Sequence, residues 1–458
     1  MRHLFSDVAP FRRDPLAFLV ERGEVATEPL TPLSLGVRPT YLLTDPEYVK
    51  PLLKMPEDLV DKGPMTRKFS QFSGKNIVVL SGEEHKRRRA VLHPIVSRHA
   101  AERIAPVLAG EVRAAAQDAV LARSIEARHF TMTLAMRMVC LAAFGANVLS
   151  SDEQKKVSDA VLHGLESLAD IVFRRSPFAP WRTLRQRRAV EHCRREMQEV
   201  VHRVRERALD SVMLRGLSGI GLSESDMADE LLTFLIAGHD TTGAAAAWLL
   251  HALATEPGLA DRIADEASAV RDESGEIDVT KLSFAPTARA TVQEILRLYP
   301  STYWFGRGVC QDIEFGGRKL RRGTAIIISE WLFHRCARFW DAPNEFRLDR
   351  DYSSKAYFPF GTGPRMCVAW GLASLELEII ALEMASACRL ALAGPIGAPR
   401  PWVHLSPPDM PMQVRPAPAA RTSWPEHERV PREHAHAHVS RAQSLGPAQC
   451  PLHASASG

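Results

Sequence analysis

Between Ser223 and Thr255 the chain carries an uninterrupted run of helix-forming, mostly apolar residues, closed by Glu256-Pro257-Gly258. A helix that long and apolar on most faces cannot rest on a surface, because every apolar side needs a cover. Other elements must therefore wrap around it, and a mainly helical fold built about this helix is expected. Ser223-Glu224-Ser225-Asp226 forms a capping-box-like start, with a hydroxyl that can accept from a first-turn N–H. Within the run, Ala237-Gly238-His239-Asp240-Thr241-Thr242 interrupts the bulk. Small residues there let another body come close, and glycine beside hydroxyl residues invites a local kink. Asp240 and Thr241, an acid and an alcohol at that gap, can deliver protons. His239 has no assignable role.

A second constraint lies in Phe358-Pro359-Phe360-Gly361-Thr362-Gly363-Pro364-Arg365-Met366-Cys367-Val368-Ala369-Trp370. Gly361 and Gly363 can take backbone angles that a side chain forbids, so the loop can curl and aim several peptide N–H groups at the Cys367 sulfur. Leu372 to Leu390 reads as a helix, which sets Cys367 near a positive helix end. Both effects predict a preference for thiolate over thiol.

The cysteine loop resembles the haem-ligating signature of the cytochrome P450 family, Phe-Gly-x-Gly-x-Arg-x-Cys-x-Gly. Phe360, Gly361, Gly363, Arg365 and Cys367 match, and Ala369 stands where the pattern has glycine. The resemblance implies that Cys367 ligates haem iron as a thiolate, in a cofactor site that includes Phe360, with Arg365 reaching a haem propionate. Thiolate donation favours O–O cleavage over oxygen carriage. The central run resembles the family's oxygen-binding signature, (Ala/Gly)-Gly-x-(Asp/Glu)-Thr-(Thr/Ser). That match implies that Ala237 and Gly238 make room for O2 above the haem. It also implies that Thr241 hydrogen-bonds the oxygen under activation and that Asp240 relays protons from solvent.

Two further stretches extend the likeness. In Gly82-Glu83-Glu84-His85-Lys86-Arg87-Arg88-Arg89, His85 and Arg89 are four apart and share a helix face. The family's helix C carries residues at this spacing that hold a propionate, a carboxylate that suits an arginine fork. Lys86, Arg87 and Arg88 are expected to face solvent or a redox partner. Arg307, beyond Ser301 to Gly306, falls where the family has another propionate-binding arginine. Tyr303, Trp304 and Phe305 are candidates for an aromatic cavity wall. Glu294 and Arg297 share a helix face ahead of Pro300 and resemble the family's Glu-x-x-Arg motif, with Arg350 as the third member of a structural brace under the cysteine loop. Residues 61 to 80 show no clear period and, by the resemblance, line the substrate cavity. Leu165 to Trp181 corresponds to a mobile lid.

The seven cysteines, at 140, 193, 310, 336, 367, 388 and 450, are odd in number and lack paired short spacings. That pattern speaks for a reducing compartment and against a disulfide framework or zinc site. A net charge of +4 gives no reason to expect nucleic acid as a partner. Charged residues interrupt the N-terminus, and Leu16 to Val20 is too short an apolar run for a membrane anchor. A soluble, cytoplasmic, bacterial-type protein is expected, as a monomer. Tyr41-Leu42-Leu43 into Thr44-Asp45-Pro46 reads as a strand entering a helix start, within a small β region over residues 1 to 60. Residues 100 to 215 read as successive helices, and Val403 to Val414 resembles the family's closing β-hairpin. Residues 417–458, rich in Ala, Pro, Ser and His, read as a disordered tail in which His434, His436 and His438 carry no strong metal signal.

The expectation is thus a mainly α protein with a smaller β region. It is a cytochrome P450 fold over residues 1–416, with the long central helix over the haem. The implied activity is that of a haem-thiolate monooxygenase that activates O2 to hydroxylate or epoxidise a small organic substrate, with secondary metabolism one setting for it. The implied cofactor is haem b. Electrons would come from NAD(P)H through a separate ferredoxin or flavodoxin, since the chain has no flavin, nucleotide or iron–sulfur motif. Peroxide-driven oxidation, desaturation or oxidative coupling on the same haem is the first alternative, and a non-catalytic haem-binding or sensor protein the second.

Overall fold

The structure is a computed structural model and describes residues 2–173, 180–208 and 211–418. Of the expected lid, Leu165 to Trp181, residues 174–179 lie outside the described residues and the rest ends one helix, Ser151–Phe173, and starts the next, Pro180–Arg207; the expected tail lies outside from 419 onward.

The Ser223 hydroxyl accepts from the Asp226 N–H at 3.1 Å and starts the central helix, which runs unbroken over Glu224–Thr255. Such a cap is typically worth about 1 kcal/mol. From Asp229 to Leu253 every residue of it is buried except Ala237, Gly238, Thr241 and His251. The helix Ala127–Phe144 crosses it at very short range. A Cβ on Gly243 would stand 2.8 Å from Met132 Cα, and one on Gly238 would stand 2.5 Å from Val139 Cγ2. The Thr131 hydroxyl donates to the Gly243 carbonyl at 2.8 Å across the same crossing. Gly238 is therefore small for helix packing as well as for the space beside it. The helix Trp370–Ala387 lies on another flank, and Trp248 stacks on Tyr299 with ring centroids 3.7 Å apart.

Helices Arg98–Ala122, Ala127–Phe144, Ser151–Phe173, Pro180–Arg207 and Val212–Gly219 fill the stretch expected to be helical. The β region is a five-stranded sheet in the order Leu30–Leu33, Thr40–Leu43, Ala325–Ile328, Phe305–Val309, Val60–Asp61. Thr40–Leu43 pairs parallel to Ala325–Ile328, and the other neighbours are antiparallel. Because side chains alternate along a strand, Phe305 and Arg307 leave the sheet on the same face.

Three local expectations are corrected. Residues 61–80 contain a helix, Gly63–Ser73, which stops at Gly74 with φ 75°. The helix after the cysteine loop ends at Ala387, and Cys388–Leu392 is a strand. In Cys388-Arg389-Leu390-Ala391-Leu392 the first and third residues are buried, a period of two that no helix shares. The closing segment is also not one hairpin. Arg400–Pro401 pairs with Leu405–Ser406, while Pro411–Pro416 pairs with both Cys388–Leu392 and Ser124–Glu126. Among the described residues no helix is long and apolar enough to cross a membrane, and no group of three or more His, Cys, Asp or Glu side chains could hold a metal ion.

Candidate active site

Gly361 and Gly363 have φ of 67° and 73°, the left-handed region open to glycine at little cost, and so turn the chain sharply ahead of Cys367. The Cys367 N–H closes the loop on the Phe360 carbonyl at 2.9 Å, and the Met366 N–H donates to the Gly363 carbonyl at 3.1 Å. Ala369 caps the following helix with φ −104°, an angle open to any residue, so the missing glycine has no conformational consequence. Cys367 keeps accessible surface and lines a cavity. Burial pushes the Cys367 thiol up, against the Ala369 N–H and the Arg89 charge, which pull it down. Among the described residues, one N–H and one cation are thus what favours the thiolate at this sulfur, where several N–H groups were expected.

The cavity has a volume of about 430 Å³ and separates the cysteine loop from the central helix. Cys367, Phe360 and Arg365 line one side, and Ala237, Gly238 and Thr241 line the other. The last three are the residues of that helix segment left uncovered, because small side chains at that turn leave the space open. The Thr241 hydroxyl donates to the Ala237 carbonyl at 2.6 Å, and the Ser301 hydroxyl donates to the Thr241 carbonyl at 2.9 Å. Asp240, one position earlier, is buried on a different face and does not line the cavity. Its carboxylate Oδ2 lies 2.8 Å from His404 Nε2.

Cations converge on the rim that the cavity shares with a second one of about 770 Å³: Lys62, His85, Arg89, Arg307 and Arg365. Arg89 donates to the Met366 carbonyl at 2.8 Å, and Arg307 donates to the Gly306 carbonyl at 2.9 Å with its guanidinium over the Phe305 ring. Arg365 donates to the Leu80 carbonyl and pairs with Glu57. Among the described residues neither Arg89 nor Arg307 has a carboxylate within ion-pair distance. Burial, opposed by the charges of Glu330 and Asp61, pulls Arg307 down to about 10. Burial, with the Arg307 charge, takes Lys62 to about 7. Burial, with Lys62 and Arg89, takes His85 to about 4. Arg89 and Arg307 make this rim an anion site, since buried cations without counter-charges are costly; Arg365 already has Glu57, and His85 at about 4 is a neutral imidazole.

Arg88 is the exception in the basic run, and the expectation that it faces solvent or a redox partner is overturned. It is fully buried and donates to Glu230 at 2.8 Å, Glu84 at 3.0 Å, Asp226 at 3.2 Å and the Lys75 carbonyl at 2.9 Å. It ties the helix Gly82–Val96 to the start of the central helix. Lys86 and Arg87 are exposed, each paired with a glutamate on its own helix.

The sequence model of the cytochrome P450 family matches residues 18–396. The chain belongs to this family. It is 27% identical over 404 residues to the cyclooctat-9-en-7-ol 5-monooxygenase of Streptomyces melanosporofaciens, covering 82% of this chain and 85% of that one. It is 25% identical to the cyclooctatin synthase of the same organism, over 86% and 90% of the two chains. A six-coordinated cytochrome P450 of Thermus thermophilus shares the fold at a TM-score of 0.69 and 22% identity, over 88% of this chain and 98% of that one.

This P450 is therefore a monooxygenase of the oxidoreductase class, a haem-iron enzyme supplied with electrons by a redox partner. Its cavity fits a haem on two counts: a cysteine sulfur lines it, and Arg89 and Arg307 stand at its rim without a carboxylate partner among the described residues, as a group with an acidic edge requires. Beneath the loop, Glu294 accepts from Arg297 at 2.7 Å, Arg350 at 2.9 Å, the Tyr352 hydroxyl at 2.9 Å and the Arg347 N–H at 3.0 Å. Arg297 also donates to the His334 carbonyl at 2.7 Å, and His334 Nε2 accepts from the Phe358 N–H at 3.1 Å. The brace thus reaches the cysteine loop through His334. Sequence reasoning missed His334 and Tyr352, as it missed Lys62, Glu376 and His404. Of the three candidate wall aromatics, Phe305 lines the cavity, while Tyr303 is buried with its hydroxyl donating to the Trp402 carbonyl.

Proposed function

We propose that this P450 uses haem b, held by Cys367, to insert one oxygen atom from O2 into a small, largely apolar organic molecule by hydroxylation or epoxidation. The observation that carries this reading is that Cys367 and Thr241 open onto one cavity from opposite sides, at the turn of the buried helix segment that lacks bulk. Cys367 would hold the iron as thiolate, because coordination deprotonates a thiol outright. When bound, the haem supplies the redox-active iron at which O2 is activated. His85, Arg89, Arg307 and Arg365 would bind its propionates, with Phe360 beside the ring. Ala237 and Gly238 would leave room for O2, Thr241 would present a hydroxyl to it, and Asp240 would help relay protons from solvent.

The apolar lining formed by Ile77, Val78, Val139, Phe234 and Phe305, interrupted by hydroxyl residues such as Thr66, Thr233 and Thr302 and by Glu330 and Glu376, suits a mostly hydrocarbon substrate with few hydroxyls. A secondary-metabolism alcohol of the kind named for the Streptomyces relative matches that lining. Electrons would come from NAD(P)H through a separate ferredoxin or flavodoxin, steered by exposed Lys86 and Arg87. The unpaired state of every described cysteine supports work in the cytoplasm, and the reading has the enzyme act as a monomer. Turnover of terpenoid alcohols under labelled O2, with NADPH and surrogate ferredoxin and reductase, tests the reading. Label in the product supports it; product from hydrogen peroxide alone, with none from O2 and reductant, overturns it in favour of peroxide-driven oxidation.

A further inference from the structure

Residues 74–80 lie in neither helix nor strand, and Ile77 and Val78 of this stretch line the cavity. The backbone groups of such a segment still need partners, and no regular ladder supplies them. Asn76 shapes the turn from within. It is buried, its Oδ1 accepts from the Val78 N–H at 2.9 Å, and its Nδ2 donates to the Ser73 carbonyl at 2.9 Å. The placement of that turn comes from charged side chains elsewhere in the chain. The Lys75 N–H donates to Asp229 Oδ2 at 2.8 Å, and Arg88 donates to the Lys75 carbonyl at 2.9 Å. Lys62 donates to the Ile77 carbonyl at 3.3 Å and to the Val78 carbonyl.

Asp229 is the hub of this clasp. It is buried on the central helix and does not itself line the cavity. Its Oδ1 pairs with Arg194 of the helix Pro180–Arg207, and Arg194 donates in turn to the Phe72 carbonyl at 2.9 Å. Gly74 is what admits the carboxylate: its φ is 75°, and a Cβ there would overlap the Asp229 carboxyl group. Phe72, also buried, takes the place of a side chain at Gly164 on the helix Ser151–Phe173, where a Cβ would overlap its ring. One acid therefore ties the central helix to the cavity wall and to the helix pair outside that wall.

We propose that Asp229 is a positioning residue for the substrate: through Lys75 and Arg194 it fixes the wall formed by Ile77 and Val78, and so sets the fit of apolar ligands without touching them. The proposal rests on the reading of the cavity as the haem and substrate site. Hydrogen bonds to an ionised acceptor are stronger than neutral ones, so the carboxylate is the firmest of the backbone's holds. Because Ile77 and Val78 follow Lys75 directly on one tight turn, releasing the Lys75 backbone displaces both side chains together.

The test uses haem-loaded full-length protein and two azoles that coordinate haem iron, imidazole and 4-phenylimidazole, titrated by absorption. Only the second carries an apolar ring for the wall to cover. The parent is expected to prefer 4-phenylimidazole, and Asp229→Ala is expected to lower that preference about fivefold or more, through weaker binding of 4-phenylimidazole with imidazole unchanged. Asp229→Asn keeps an acceptor for the Lys75 N–H and should retain most of the preference. Gly74→Ala leaves every charge in place but displaces the Asp229 carboxyl group, so it should reproduce the loss, and it carries the test where Asp229→Ala does not fold. Hydrogen exchange of peptides spanning residues 74–80 should quicken about tenfold or more in both Asp229→Ala and Gly74→Ala. A preference unchanged or raised, or exchange unchanged, in either folded variant overturns the proposal. If the parent binds imidazole but prefers neither azole, the wall covers no ligand, and the reading of the cavity falls together with the proposal. If the parent discriminates and Asp229→Ala discriminates equally, only the role of Asp229 falls.

Discussion

Glu294 and Arg350 stand 56 positions apart, and Arg350 Nε donates to Glu294 Oε1 at 2.9 Å in a site where Glu294 has no exposure. Arg297 completes the pairing from the same helix as Glu294. Replacing Glu294 by Gln removes the charge that neutralises two buried guanidiniums. A loss of about 3–5 kcal/mol in urea unfolding is expected. Burial raises the Glu294 carboxyl, but Arg297 and Arg350 outweigh it and hold it below its ordinary range. A depressed carboxyl contributes stability that is full above its unfolded value, about 4.3, and is lost as pH falls through the folded value. The parent should therefore lose stability on acidification more steeply than Glu294→Gln.

Thr241 is the one hydroxyl on the uncovered turn of the central helix. Thr241→Val keeps the shape and removes the donor, so NADPH should be consumed while product per NADPH drops about tenfold or more. Thr241→Ser should retain most of the coupling. The check is a ratio of product to NADPH and of peroxide to NADPH for each variant.

Glu376 is buried, lines the cavity, and has no partner for Oε1 among the described residues. Burial, opposed by the Thr242 side chain, pushes its carboxyl up to about 8. The unfolded chain ionises this group above about 4.3, so the parent loses stability as pH rises from there toward about 8. Glu376→Gln is neutral in both states and escapes that loss. Its stability relative to the parent should grow between about pH 5 and 8 by on the order of a few kcal/mol, read from urea midpoints at the two pH values.

Three neighbouring cations should separate cleanly. Lys86→Ala with Arg87→Ala should slow reduction by a ferredoxin or flavodoxin, more at low salt than at high salt, and leave stability within about 0.5 kcal/mol. Arg88→Ala leaves Glu230 buried without its cation, while Glu84 keeps Arg87 and Asp226 keeps Lys75, and should cost about 3–5 kcal/mol. Stopped-flow reduction over a salt series and urea unfolding read the two effects.

What was legible in the sequence was whatever lies within a few residues. The central helix, the cysteine loop with its two glycines, and the His85/Arg89 and Glu294/Arg297 spacings all read correctly as local structure, because period and backbone freedom are local properties. Arg88 was misread through charge, although phase was available: His85, Arg88, Leu92 and Val96 are the buried residues of that helix, spaced three and four apart. His334 and His404 reach their partners only through tertiary folding, and neither has a local pattern that marks it. At Cys367 the helix end and the N–H groups are visible in the loop, while burial depends on the whole surrounding protein and has no local pattern.

The central claim is that Cys367 ligates the haem iron as a thiolate. The most direct measurement is the absorption spectrum of the purified, haem-loaded protein, reduced and exposed to carbon monoxide. The account predicts the long-wavelength Soret band of thiolate-ligated ferrous haem, and its loss in Cys367→Ala. A band of neutral ligation in folded, haem-loaded parent protein, or a long-wavelength band that survives in Cys367→Ala, would contradict it.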